Sequence, residues 1–403
     1  MNEQQPPTPG EGGFDISQLG EMLQKIGQMM AQTDASDSGA VSWSTVRQSA
    51  REAISKNSDP SVSESERTSV NGAVALAQTW LDGVVPFPPA GLTADVWCKS
   101  EWLEATLDQW QPLINPVGEA LGRAMGELAE QSIAELSAAE EGPGSEMLRP
   151  MLELAKRMSA ISTSTQIGTG LAALAEGVLS AGDGGLPLQA SCTPALLPKQ
   201  VEVLAREHDL PLSETMLFIA IRECAVQRLF HAYPWLRQQV ATGVSRYAKG
   251  IHIDGERIRD AMSEIDPTDL GSMQALATSG AFQPVTSDDQ QRELDRVELL
   301  LATIEGWVSA VTELAIDGRL ASLPQLTETW NRRRAEGGPA EQTFANLVGL
   351  SLRPRLMRTA TAFFKELLLT DGSGAHDSVW AHPDLLPSSD ELADVALFRS
   401  NRA

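Results

Sequence analysis

Residues 222 to 226 read Arg222-Glu223-Cys224-Ala225-Val226, and they sit inside a run, 212–231, whose spacing predicts a single helix. Residues i and i+4 lie one above the other on a helix face, so Arg222 and Val226 share a face with Glu223 beside it. Glu223, Gln227 and His231 form a second row at i, i+4 and i+8, read as a solvated or partner-facing polar row. Pro234 ends the helix soon after. His231 lies five residues beyond Val226, about 7.5 Å further along the axis and rotated off that face. Cys224 and His231 are about 10 Å apart along the axis, too far for a thiolate–imidazole hydrogen bond. Cys224 therefore reads as a small packing residue.

Outward from this helix, the pattern is helical almost throughout. Apolar residues from Phe14 to Met30 recur at helical spacing and predict a first amphipathic helix with a methionine-rich face, after a 1–13 segment expected to be disordered. Helices are expected near 43–56, 63–83, 93–111, 115–139, 145–160 and 165–180, and again near 197–208, 234–248, 255–264, 268–277, 288–317, 323–334, 339–350 and 354–370. Ser63-Glu64-Ser65-Glu66 supplies acidic residues to one first turn, and Ser388 to Glu391 reads as a final cap. Gly118, Gly122 and Gly126 form a stripe that predicts close helix–helix approach. Only short pieces, such as Gln189 to Cys192 or Lys249 to Ile253, are candidates for strands. Gly182-Asp183-Gly184-Gly185 is a strong loop signal. It places a loose boundary between an N-terminal helical region, 14–185, and a region 186–403 that carries the 222–226 helix. The expected fold class is mainly α.

Composition narrows the function. Forty-two per cent of the 403 residues are apolar, enough for a sizeable core, and the formal net charge is -23. That balance argues against nucleic acid or an anionic membrane as the main partner. Three cysteines, Cys98, Cys192 and Cys224, form no Cys-x-x-Cys pair, so a disulfide framework is not expected and a reducing, cytoplasmic setting fits. The N-terminus has neither a basic nor an apolar stretch of the signal-peptide kind. Arg332-Arg333-Arg334 falls at an expected helix end, where cations favour the helix dipole. Arg206-Glu207-His208 reads as an exposed polar turn. Trp43, Trp80, Trp97, Trp102 and Trp110 are expected in helices, as core or cleft-wall residues.

The 222–226 turn lies where a zinc peptidase helix reads His-Glu-x-x-His. That spacing lets two imidazoles reach one ion at Zn–N of about 2.0–2.1 Å, while the glutamate takes a proton from the metal-bound water. Arg222 carries no acceptor, and Val226 has no donor atom. Several further segments resemble an actinobacterial family of zincin-like metallopeptidases: Leu19 to Met29, Asn115-Pro116-Val117 with Ala124-Met125, Gln227 to Phe230 followed by Tyr233 to Arg237, and Glu305-Gly306-Trp307-Val308. So do Gly337 to Phe344, Leu350 to Arg355, and Trp380 to Pro387. Together they reach from about residue 14 to residue 392.

The resemblance implies a helical, zincin-like fold and a zinc-dependent hydrolase ancestry. By position it places Glu223 at the catalytic base and Glu305 at the third metal ligand. Arg222 and Val226 stand at the two histidine positions, and Ser309 stands where relatives often carry an aspartate. On this reading Glu223 and Glu305 converge on one cleft, and Arg222 pairs with Glu305 in place of the metal's charge. The expected function is a non-catalytic homologue, without a bound cofactor, that binds a peptide or protein or plays a regulatory part. Two alternatives stand beside it: a zinc-dependent hydrolase with a rearranged ligand set that draws on His231 or a partner, and a helical assembly scaffold.

Overall fold

The computed structural model describes residues 40–139, 144–183, 186, 188–251, 287–336, 354–372 and 374–402. The expected helices 14–31, 255–264, 268–277 and 339–350 lie outside the described residues, as do residues 252–253 of one strand candidate and 337–353 of the quoted C-terminal segments.

Among the described residues, ten α-helices precede the C-terminal cluster: α1 (Trp43–Ser55), α2 (Glu64–Leu81), α3 (Lys99–Ala139), α4 (Gly144–Gly177), α5 (Pro198–Glu207), α6 (Leu212–Ala232), α7 (Trp235–Lys249), α8 (Asp288–Ile316), α9 (Leu323–Glu336) and α10 (Pro354–Asp371). Short helices α11 (Gly374–Trp380), α12 (Ser389–Ala393) and α13 (Val395–Ser400) close the chain. Two two-residue strands, β1 (Asp95–Val96) and β2 (Ala195–Leu196), pair in parallel, and Ser180 bridges Leu196. The mainly α expectation holds. The strands, however, lie outside the predicted pieces: residues 189–192 form turn and loop, and Lys249 closes α7.

The centre of the molecule is α6. Every residue from Thr215 to Phe230 is buried, so this helix has no solvent face. It packs against α2, α5 and α8, while α8 also packs on α7 and α10. One apolar core runs from Val41 to Phe398. Helix α8 is long and apolar enough to cross a membrane, yet 78% of that window is buried inside the protein. Gly306 lets α8 meet α10 closely, because a Cβ there would lie 2.3 Å from the Ala360 Cβ. Residues 43 to 55 and 64 to 81 are helical as predicted, with Ser63 and Glu66 forming a full capping box. Ser388 and Glu391 form another.

Several sequence expectations give way to packing. The predicted breaks at 111–115 and 160–165 are absent. Helix α3 runs through Pro112 and Pro116 with Leu113 and Ile114 held in the core, and α4 is continuous. Each proline removes one backbone donor, and burial of the flanking residues outweighs the loss. The glycine stripe receives the bend before α1 rather than a helix: Cβ atoms at Gly118 and Gly122 would meet Val41 Cγ2 at 2.6 Å and Ala40 Cβ at 3.3 Å. Trp97 follows β1 rather than sitting in a helix. The polar row on α6 is not solvated, because Glu223 and Gln227 are both buried and only His231 is exposed.

Candidate functional site

Arg222 and Glu223 are neighbours on α6 but serve two different clusters. Both are almost wholly excluded from water, Arg222 at 5% and Glu223 at 1% exposure. A charge buried this deeply must be matched or it destabilises the fold by several kcal/mol. The structure matches them separately.

On one side, α6 faces α8 and α9. Arg222 Nη2 donates to Glu305 Oε1, and Nη1 donates to Ser309 Oγ at 3.1 Å. Trp330 Nε1 donates to the same Glu305 oxygen at 3.0 Å, and Arg334 Nη2 lies 3.7 Å from Glu305 Oε2. The Trp330 ring stacks under the Arg222 guanidinium, 4.0 Å from its centroid, and Phe218 lies at 5.8 Å. Burial draws the Arg222 pKa down, while Glu305 opposes that and Arg334 adds to it. A guanidinium keeps its proton under these conditions.

Arg334 continues the network toward the loop after α4. It donates to the Asp183 backbone carbonyl and lies 3.5 Å from Asp183 Oδ1. Arg333 Nη2 donates to Asp183 Oδ2 at 2.8 Å and to the Gly177 carbonyl. Asp183 Oδ2 also accepts the Leu179 amide at 2.8 Å. The arginine triplet is thus not a simple dipole-compensating helix end. Arg332 is exposed, whereas Arg333 and Arg334 turn inward and tie α9 to this loop.

On the other side, Glu223 is enclosed by donors. Gly182 N reaches Oε2 at 2.8 Å, Ala195 N reaches Oε1 at 3.2 Å, and Gln227 Nε2 reaches Oε1 at 2.7 Å. The Ser180 hydroxyl also bonds to it. Burial nonetheless pushes the Glu223 carboxyl above the usual carboxylate range, against the pull of these donors. Val226 lies under Gly182, where a Cβ would come within 2.8 Å of Val226 Cγ1 and 2.9 Å of Glu223 Oε2. Only a glycine allows that loop to close over the helix.

The structure therefore brings Arg222, Glu305 and Ser309 together, as the pairing of Arg222 with Glu305 requires. It does not join Glu223 to Glu305: each has its own donors, and no hydrogen bond or ion pair among the described residues links them. Cys224 is buried, and its thiol is pushed up by burial and by Glu223. His231 is exposed. Sequence reasoning missed Trp330, Arg334, Asp183 and Gly182. The arginine triplet and the Gly182-Asp183 pair were visible, but nothing in a linear reading showed that they meet.

A model of the zincin-like metallopeptidase family matches residues 41–398. The chain belongs to that family. A solved structure from Chloroflexus aurantiacus, described as a "putative hydrolase with a novel fold", is similar over 90% of this chain and 99% of its own, at 20% identity and a TM-score of 0.59. That likeness concerns the fold. No curated protein matches the chain.

Family membership implies zinc, and the donor set at this turn of α6 does not suit it. A zinc site needs lone pairs from three side chains and an open position. Arg222 offers none and carries the wrong charge, and Val226 has no donor atom. The Glu223 oxygens are already engaged by Gly182, Ala195, Gln227 and Ser180, and Glu305 is engaged by Arg222, Trp330 and Arg334. Among the described residues, no group of three His, Cys, Asp or Glu side chains is placed to hold a metal ion. The arrangement can neutralise buried charge and lock α6, α8 and α9 together. It holds no exposed base.

Proposed function

We propose that this chain is a non-catalytic member of the zincin-like metallopeptidase family, retained as a binding or regulatory body. Arg222 and Val226 stand at the two histidine ligand positions, Glu223 at the base and Glu305 at the third ligand. The observation that carries the reading is the guanidinium of Arg222 seated on Glu305 over the Trp330 ring. A fixed cation there supplies the charge that a carboxylate ligand would otherwise find in a metal. Glu223 supports the same reading, since a carboxylate wrapped by two backbone amides, an amide side chain and a hydroxyl acts as a structural acceptor rather than a base.

Elemental analysis tests this directly. Protein purified without chelator should carry far less than one equivalent of zinc, and added zinc should not raise its thermal stability or elicit peptidase activity. One equivalent of zinc with chelator-sensitive hydrolysis would restore the enzyme reading. His231, exposed at the end of α6, does not favour a rearranged ligand set.

A further inference from the structure

The geometry points to a small carboxylate-binding pocket where α8, α9 and α10 meet, beside Glu305; the inference rests on the non-catalytic reading above. The pocket has a volume of about 20 Å³ and is lined by Ser309, Trp330, Asn331, Arg334, Arg358 and Thr361 besides Glu305 and Met357. That volume holds about one water-sized group. The occupant therefore inserts one or two oxygens and leaves the rest of itself outside.

The lining selects the sign of that group. Among the described residues Glu305 is the one carboxylate in the wall, and its oxygens already receive Arg222, Trp330 and Arg334. Ser309 Oγ accepts from Arg222, which leaves its own proton to donate. Asn331 contributes an amide at the exposed edge. Arg358 is exposed and makes no ion pair with a described residue. Hydroxyl, amide and guanidinium donors around a neutralised glutamate suit an anion and repel a cation. A flat, singly charged carboxylate can put one oxygen in the space and keep the other on the fork of Arg358; a phosphate carries a higher charge and is held off more strongly by Glu305. A position beside a ligand-type glutamate, where the family would gather positive charge, has thus become a receptor for negative charge. The carboxylate has two sources, a free small acid or the C-terminus of a peptide.

Thermal unfolding of the full chain tests this. Formate should raise the midpoint saturably above matched sodium chloride, and phosphate should not exceed the chloride control. Trialanine acting like formate while its C-terminal amide does not would assign the source to peptide termini; formate acting alone would assign it to small acids. Arg358→Ala and Asn331→Ala, both at exposed positions, should each weaken the apparent formate affinity by about tenfold with an unchanged far-ultraviolet spectrum. The pocket is refuted by no rise above chloride, by a larger rise with phosphate, or by an undiminished rise in both variants. Such a failure in zinc-free protein leaves the non-catalytic reading standing, whereas stoichiometric zinc removes that reading first.

Discussion

Replacing Arg222 with alanine should be among the most damaging single changes in the chain, and its cost can be worked from the contacts. The substitution strands Glu305, which is 4% exposed. Breaking a buried pair by removing one partner costs about 3–5 kcal/mol. Arg334 at 3.7 Å and the Trp330 indole remain, so Glu305 is not left wholly unmatched, and the electrostatic part should fall near the lower limit. Loss of the guanidinium from the Trp330 face adds roughly 1–2 kcal/mol. The sum is about 4–5 kcal/mol, which at ~2 °C per kcal/mol for a large domain lowers the midpoint by roughly 8–10 °C. Calorimetry and urea unfolding would read this. The control is the double variant Arg222→Met, Glu305→Met. Removing both charges leaves no stranded ion and restores apolar packing, so it should be more stable than Arg222→Ala by about 2 kcal/mol or more. If Arg222→Ala melts within 1 °C of the parent, or the double variant is no more stable than Arg222→Ala, the pair is not what holds this region together.

Two further outcomes follow from the same geometry. Gly182→Ala should destabilise the fold by about 1–3 kcal/mol through overpacking, because its Cβ would meet Val226 Cγ1 at 2.8 Å and Glu223 Oε2 at 2.9 Å; Val226→Ala should rescue part of that loss in thermal melts, and no rescue would mean the loop does not rest on Val226. Glu223 should give the stability curve a pH dependence. Burial raises its folded pKa, so the folded chain keeps a proton that the unfolded chain has released, and stability falls as pH rises from the ordinary carboxylate value towards the raised one. Glu223→Gln should lack that fall, and unfolding free energies of the two proteins that stay parallel across roughly pH 4 to 8 would contradict it.

What the sequence revealed and what it hid have separate physical causes. Helix α6, helix α8 and the cap at Ser388 were legible because a helix face repeats locally and a cap needs only residues three apart. The Arg222–Glu305 pair was legible only by analogy of position, since eighty-three residues separate its members. Trp330 and Arg334 escaped because the reason for a buried arginine lies in its partner, and Asp183 is 151 residues away from Arg334 in the chain. Gly182 looked like any loop glycine, and only the three-dimensional contact with Val226 shows why a side chain is excluded there. The merged helices α3 and α4 mark the opposite limit. There local breaker signals were read correctly, but tertiary burial overrode them.

A metal centre and an arginine clamp make opposite demands on the residues around them. A divalent ion requires several lone pairs aimed at one point, so each ligand must keep its acceptor free. A guanidinium requires acceptors and an aromatic face, and it satisfies a carboxylate through directed donors. On the proposed reading, an arginine at 222 frees position 226 from supplying a donor; the apolar Val226 lies under the loop at Gly182, whose amide caps Glu223. Each of these contacts then reinforces the next. The loop positions Asp183 to receive Arg333 and Arg334, and Arg334 reaches back to Glu305. A single histidine at 222 would remove the clamp without opening the space above Val226. The arginine-bridged arrangement is therefore held by a closed ring of contacts spanning α6, the 178–183 loop, α9 and α8, rather than by the single Arg222–Glu305 bond.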